Sequence, residues 1–332
     1  MRLPRIPGAD PVAAEAARAA LDAKTKPRGS LGRLEELACR IAAVRGTAAP
    51  GRLRSAVVVA AADHGVTAEG VSAYPQDVTR QMLANFDNGG AAVSVLARLA
   101  GAELRVVDAG VGNPTGSIAR GPAMAREEAE ALVERGVDLA DDLADAGIGI
   151  VALGEMGIGN STAAAALSAA LLPAEPSAVC GPGTGLDHAG VARKVVVVER
   201  ALRANPIDPA DPLGVLAALG GRELALLCGL ALGAAARRLV VVVDGFISAA
   251  AALVAVRLAP EAADAMVAAH LSPEPGHRLV LAGLGLQPIL DLGLRLGEGS
   301  GAALVLPVLD AALAVLADMA TFAEAGVTDA GR

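Results

Sequence analysis

The sequence predicts an α/β fold: a mostly parallel six-stranded sheet with helices on both faces. Three observations predict it. From residue 55 onward, short and nearly unbroken apolar runs recur, each followed by a helical stretch, the pattern of strands covered on both sides. Loops rich in glycine or polar residues come directly after those runs. The composition is 54% hydrophobic with 39 glycines, no Trp, one Tyr and three Phe. The core must therefore be built from Ala, Val and Leu, which suits helices packed closely on a buried sheet. With 332 residues and roughly 150 per domain, the chain has room for one large domain and a small annex.

Residues 9–46 read as helical, with Leu31, Leu34, Leu37, Ala38, Ile41 and Val44 on one apolar face. Ser30 is the expected N-cap and Gly46 the expected stop. Six strands are expected, at 55–61, 103–108, 147–153, 176–180, 239–243 and 278–282. After residue 302 the chain is helical again, with Pro307 tolerable only near the first turns. The two terminal helical regions are expected to pack together as a small domain. The division is then 1–50 and 301–332 for that domain, and 51–300 for the α/β domain.

Charge and composition exclude several classes. There are 28 basic and 36 acidic residues, a net charge of −8, against a nucleic-acid binder, which needs clustered Lys and Arg. The longest stretch without a charged residue, 156–174, contains Asn160, Ser161, Thr162 and Pro173, so no membrane span of about 20 predominantly apolar residues is expected. The first 25 residues carry Arg5, Asp10 and Glu15 and no apolar h-region. Cys39, Cys180 and Cys228 form neither a CxxC pair nor a disulfide framework. The expectation is a cytoplasmic protein without a metal site, since the four histidines and three cysteines show no metal-ligand spacing.

The functional signal lies in the loops after the expected strands. Asp63-His64-Gly65, Asp108-Ala109-Gly110, Gly154-Glu155-Met156-Gly157, Gly181-Pro182-Gly183-Thr184-Gly185 and Asp244-Gly245-Phe246 would share the carboxyl edge of the sheet, where open α/β folds bind ligands. Gly154-Glu-Met-Gly-Ile-Gly-Asn-Ser-Thr162 precedes an Ala-rich helix, whose free amides favour an anion such as phosphate. Its spacing is neither the dinucleotide fingerprint nor a P-loop, and it fits a tight turn equally. Lys194, one of only three lysines, comes after the second glycine loop and can complete an anion site as a point charge or be a solvated helix charge. Glu298, between Gly297 and Gly299, is a candidate general base if burial raises its pKa. A helix starting just after it would favour the charged form instead. Asp63-His64 can act as an acid/base pair or as half of a metal site, and Tyr74 and Phe86 are core anchors or a surface for a planar ligand. There is no G-x-S-x-G elbow.

Together these motifs resemble the nicotinate-nucleotide–dimethylbenzimidazole phosphoribosyltransferase family. The matching stretches are Lys26-Pro-Arg-Gly-Ser-Leu-Gly-Arg-Leu-Glu35, Ala62-Asp-His-Gly-Val66 with Glu69-Gly-Val-Ser72, Gly154 to Thr162, and Gly183-Thr-Gly185 with Lys194. Val243-Asp-Gly-Phe246 and Arg295-Leu-Gly-Glu-Gly-Ser-Gly-Ala-Ala303 complete them, in family order over residues 24 to 327. The resemblance implies a Rossmann-like sheet and a homodimer with sites near the subunit interface. It implies transfer of phosphoribose from nicotinate mononucleotide to 5,6-dimethylbenzimidazole, with no cofactor and with Glu298 as the base. By the same match, Glu155, Gly157, Asn160, Ser161, Thr162, Gly183, Thr184, Gly185 and Lys194 surround the ribose phosphate. Glu155 would serve the ribose hydroxyls or order the loop. Asp63, His64, Tyr74, Gln81, Met82 and Leu296 would line the base pocket. Pro182 stands where relatives often carry Arg, and Arg28 where a second proline is common; the Tyr74-Pro75-Gln76 segment varies, leaving the preferred base open.

Two other readings are a nucleotide-dependent oxidoreductase or methyltransferase, and a catalytically inert base-binding accessory. The first needs a glycine fingerprint after strand one, which Ala62-Asp63-His64-Gly65 does not supply. The second conflicts with the intact Glu298 loop.

Overall fold

The computed structural model describes residues 3–328. The chain opens with α1 (Pro11–Asp22), whose Asp10 cap accepts from the amides of Val12 and Ala13, and α2 (Arg33–Arg45). The expected helical region is thus interrupted at residues 23–32. Gly32, not Ser30, precedes α2, while Gly46 ends it with φ +65°, the left-handed stop that glycine allows without a Cβ clash.

The α/β part begins with β1 (Arg54–Ala62), α3 (Val78–Asp87), α4 (Ala92–Leu99) and β2 (Glu103–Gly110). It continues through α5 (Arg126–Asp145), β3 (Ile148–Met156), α6 (Asn160–Leu171), α7 (Pro176–Val179), α8 (His188–Ala204) and α9 (Pro212–Leu219). Next come α10 (Arg222–Ala236), β4 (Val240–Val243), α11 (Phe246–Leu258), β5 (Met266–His270), α12 (Pro275–Leu284) and β6 (Pro288–Leu290). The long α13 (Ser300–Asp318) and short α14 (Phe322–Ala325) complete the chain.

The six strands form one parallel sheet in the order β2-β1-β3-β4-β5-β6. Two expected strands are corrected. Residues 176–179 form α7 and 278–282 lie in α12, each helix opened by a proline at its first position, where the ring fits and no amide bond is lost. The fifth and sixth strands are Met266–His270 and Pro288–Leu290 instead.

Small side chains set the packing. Ala56 to Ala62 are fully buried in β1, and Ala163 to Leu167 in α6, so both are covered all round. Helices α5 and α10 touch backbone to backbone. A Cβ on Gly229 would lie 1.9 Å from the Val133 carbonyl, and one on Gly136 2.1 Å from that of Leu226.

Helix α13 packs on α2, α4, β3 and β5. Thr25 and Lys24 bond to the carbonyls of Ala320 and Met319, joining the two terminal segments. Pro307 sits well inside α13 rather than near its start. Its ring is exposed, while the carbonyl its missing N–H leaves free is that of Ala303, a buried residue. Among the described residues α13 is the one helix long and apolar enough to cross a bilayer, a property that the charge pattern did not predict. Here its apolar face is turned to the sheet and to α2, with Leu306, Leu309 and Leu313 buried.

In chain order the sheet grows from β1 to β2 and then restarts on the other side of β1 with β3. That reversal opens a crevice at the carboxyl edge, where this class of sheet takes its ligands.

Candidate active site

A cavity of about 440 Å³ lies at that edge. One wall comes from α3 and the segment before it, with Tyr74, Val78 and Met82. The end of β3 and the start of α6 give Glu155 to Ile158, Asn160 and Ser161, and the second glycine loop gives Gly183 and Thr184. Gly245, Phe246 and Ile247 follow β4, His270, Ser272 and Glu274 follow β5, and Arg295 to Glu298 precede α13. Six separate segments therefore converge on one apolar hollow with a few polar groups, the form of a small-molecule site.

Glu298 stands in a turn of three successive left-handed residues: φ is +85° at Gly297, +63° at Glu298 and +83° at Gly299. A non-glycine residue in that region costs roughly 1–2 kcal/mol. Its carboxylate is 6% exposed, and Oε2 has no hydrogen-bond partner. Burial raises its pKa, and only the backbone of Val93, in the first turn of α4, acts the other way. Desolvation therefore outweighs the nearby helix ends.

Glu155 is buried more deeply. Desolvation pushes its pKa up to about 8, despite the bond it accepts at Oε2 from Asn160 Nδ2 at 2.5 Å. The charges of Asp244, Glu223 and Glu298 push the same way.

Lys194 reaches in from α8. It is 1% exposed, and Nζ donates to Ser161 Oγ at 3.1 Å and to the Gly181 carbonyl at 3.0 Å. Burial lowers its pKa, and the Glu274 carboxylate counters that shift. Glu274 Oε1 also accepts from the Gly183 amide at 2.8 Å. Lys194 thus joins the two glycine loops. A Cβ on Gly183 would fall 2.8 Å from Ser161 Oγ and 2.9 Å from Lys194 Nζ, so glycine is what lets backbone, hydroxyl and ammonium converge. Helix α6 starts beside them from Gly159, which offers no side-chain cap; its end is open to an anion.

The structure brings Glu298, Glu155, Gly157, Asn160, Ser161, Gly183, Thr184, Tyr74, Met82 and Leu296 to the cavity wall. Lys194 lies just behind it. Thr162 is buried in α6, Gly185 lies past the lining stretch, and Gln81 is bonded to Asp77 outside the lining. Asp63 and His64 support the wall from behind. Asp63 Oδ2 accepts from the Gly112 amide, and His64 Nε2 shares a 2.6 Å hydrogen bond with buried Glu223. A Cβ on Gly157 would touch the His64 ring at 3.2 Å, so this pair backs the first glycine loop.

Asp244, His270, Glu274 and Arg295 were not among the expected site residues. Asp244 stood in a loop that the sequence marks. His270 and Glu274 flank the end of β5, a strand the sequence reading places elsewhere. Among the described residues no group of three or more His, Cys, Asp or Glu is arranged to hold a metal ion.

A parallel sheet with glycine loops, a buried lysine and buried carboxylates around one cavity fits a phosphoribosyltransferase, and a family profile of that description matches residues 6–327. The chain is 50% identical to the nicotinate-nucleotide–dimethylbenzimidazole phosphoribosyltransferase of Chloroflexus aggregans, covering 96% of this chain and 95% of the relative. It is 51% identical to that of Geobacter sulfurreducens, covering 94% and 93%. A crystal structure of the enzyme so named from Thermus thermophilus superposes with a TM-score of 0.90 at 47% identity, covering 96% of this chain and 99% of the other. The chain belongs to the nicotinate-nucleotide–dimethylbenzimidazole phosphoribosyltransferase family and is an enzyme of that class.

Proposed function

We propose that this enzyme transfers the phosphoribosyl group of nicotinate mononucleotide to 5,6-dimethylbenzimidazole, giving α-ribazole 5′-phosphate and nicotinate for cobalamin assembly. The observation that carries the reading is Glu298: a buried carboxylate with one unpartnered oxygen, in the wall of a cavity that also holds two glycine loops.

The chemistry needs one base. Nicotinate leaves as a pyridinium that takes the glycosidic electron pair and becomes a neutral ring, so no acid need protonate it. One benzimidazole nitrogen forms the new bond to the anomeric carbon, and the ring becomes cationic until its other nitrogen loses its proton. Glu298 takes that proton, and its raised pKa suits it to do so near neutral pH. Attack opposite the leaving group inverts the anomeric centre from β to α. Lys194, Ser161 and the open end of α6 form the phosphate subsite, as a cation beside free amides favours a dianion. Tyr74, Val78, Met82 and Leu296 form the apolar side for the flat base.

The enzyme works as a homodimer in the cytoplasm in this reading. Val95 and Leu99 support the dimer, since both are exposed on α4, the helix whose first turn abuts Glu298. Glu298→Gln tests the mechanism: with both substrates saturating, turnover falls at least about 100-fold while substrate binding persists. Near-normal turnover removes Glu298 as the base. Mass spectrometry of the ribotide formed by the wild-type protein from a panel of benzimidazoles and purines tests the substrate assignment.

A further inference from the structure

Asp244 directly follows β4, outside the cavity lining, and 1% of it is exposed. Its two oxygens are both committed to the start of α13. Oδ1 accepts from the Ala302 amide at 2.7 Å and Oδ2 from the Gly299 amide at 3.2 Å. Helix α13 has no side-chain cap of its own, because glycine fills its N-cap position. Asp244 supplies that cap from 55 residues away in sequence, satisfying amides that would otherwise be buried without partners.

The local backbone explains why an anchor is needed. The three left-handed residues 297–299 include Glu298 itself, and such a turn does not persist in a non-glycine residue unless its surroundings hold it. Those surroundings are two strand ends. On one side Gly154 and Glu155 of β3 press on the turn: a Cβ on Gly154 would lie 2.5 Å from the Glu298 carbonyl, and one on Gly297 would lie 2.3 Å from Glu155 Oε1. On the other side are Asp244 and, behind it, His270 of β5, whose Nε2 lies 3.7 Å from Asp244 Oδ1. A Cβ on Gly301 would meet His270 Cδ2 at 2.1 Å and Asp244 Oδ1 at 2.9 Å. Glycine at 301 is therefore the condition for the carboxylate to reach the helix end.

We propose that Asp244 is the positioning residue for Glu298: by tying the amides of Gly299 and Ala302 to the end of β4, it fixes the turn that aims the Glu298 carboxylate into the cavity. The proposal rests on the reading of Glu298 as the base. Asp244 lies outside the cavity lining; it acts through the backbone on either side of the start of α13.

The two carboxylates are also linked electrostatically. Burial pushes Asp244 up to about 7, against its backbone hydrogen bonds, and the Glu298 charge adds to that shift. The other titratable groups facing it are Glu155 from β3 and His270 from β5. Glu298 thus carries its charge before Asp244 does, so Asp244 is uncharged where Glu298 titrates.

Two variants separate position from charge. Asp244→Asn keeps the shape but turns an NH₂ donor toward one of the two amides. Asp244→Glu keeps the charge and displaces it by one methylene. Misplacement of a reacting group by about 1 Å can cost 100-fold, so both variants are expected to lose at least about tenfold in kcat. Their KM for nicotinate mononucleotide stays within about threefold of wild type, the mark of an effect on the reacting step. Glu298→Gln is measured in parallel. If it remains active, the base assignment fails whatever Asp244 does. If it is inactive while a folded Asp244 variant keeps kcat within about twofold, the positioning role alone is overturned. Failure of both Asp244 variants to fold assigns Asp244 to stability only and also overturns it.

Discussion

Glu155→Gln is expected to stabilise the substrate-free enzyme, and to do so more strongly as pH rises. In the folded protein burial holds the Glu155 proton up to about pH 8, whereas the unfolded chain releases it near 4.5. Between those values the native state binds the extra proton, so raising the pH favours unfolding. Glutamine has no proton to lose and keeps an oxygen for Asn160 Nδ2. The stability difference between variant and wild type therefore widens by about 1.4 kcal/mol per pH unit from about pH 5 to 8, and levels off above 8. For 332 residues at about 2.1 cal/mol/K each, the unfolding entropy is about 0.7 kcal/mol/K, which makes the divergence about 2 °C in Tm per pH unit. Scanning calorimetry of both proteins from about pH 5.5 to 8.5 measures it. Taking the difference removes most of the contribution of Asp244, which is present in both and loses its own proton near 7. Parallel Tm–pH curves for the two proteins, or a variant less stable at pH 8, would refute the account of Glu155 as a carboxylate held neutral by burial.

Three further outcomes are expected. Lys194→Ala weakens nicotinate mononucleotide by about 10- to 100-fold, the worth of a hydrogen bond to a charged group, and leaves the base affinity nearly unchanged; an unaltered nucleotide affinity in calorimetry counts against the phosphate subsite. The acid limb of kcat against pH, with both substrates saturating, lies above the ordinary glutamate value of 4.5 because burial raises Glu298, and a limb at or below that value contradicts the base assignment. Gly229→Ala drives a methyl into the Val133 carbonyl and costs about 1–3 kcal/mol by overpacking. Gly121→Ala, with nothing within 4 Å, stays within about 0.5 kcal/mol, and equal denaturation midpoints for the two would disprove the close α5–α10 approach.

Unbroken apolar runs located β1, β3 and β4 because each is rich in valine or isoleucine and buried on both faces. The same signal misled at 176–180 and 278–282, where a brief apolar run belongs to a helix; Pro176 and Pro275 in first-turn positions were the better guide. Strand β5, Met-Val-Ala-Ala-His, carries one β-branched residue and owes its conformation to the neighbours β4 and β6. Losing β5 also hid His270 and Glu274. The glycine-flanked Glu298 and the 154–162 loop were legible because their backbone demands glycine locally. The support from Asp63, His64 and Asp244 was not, since each acts on backbone or side chains brought near only by the sheet order.

The helix that begins at the Glu298 turn runs 19 residues to Asp318, a rod of about 28 Å at 1.5 Å per residue. Its far end lies among the N-terminal helices, with Lys24 Nζ bonded to the Met319 carbonyl. A rod of that length pivoting at its distal end shifts its tip by about 1 Å for a tilt of about 2°. The remote bundle is thus the fulcrum of a lever whose working point is the turn that carries Glu298, the proposed base, and loosening it is expected to degrade catalysis without altering a single group in the cavity wall.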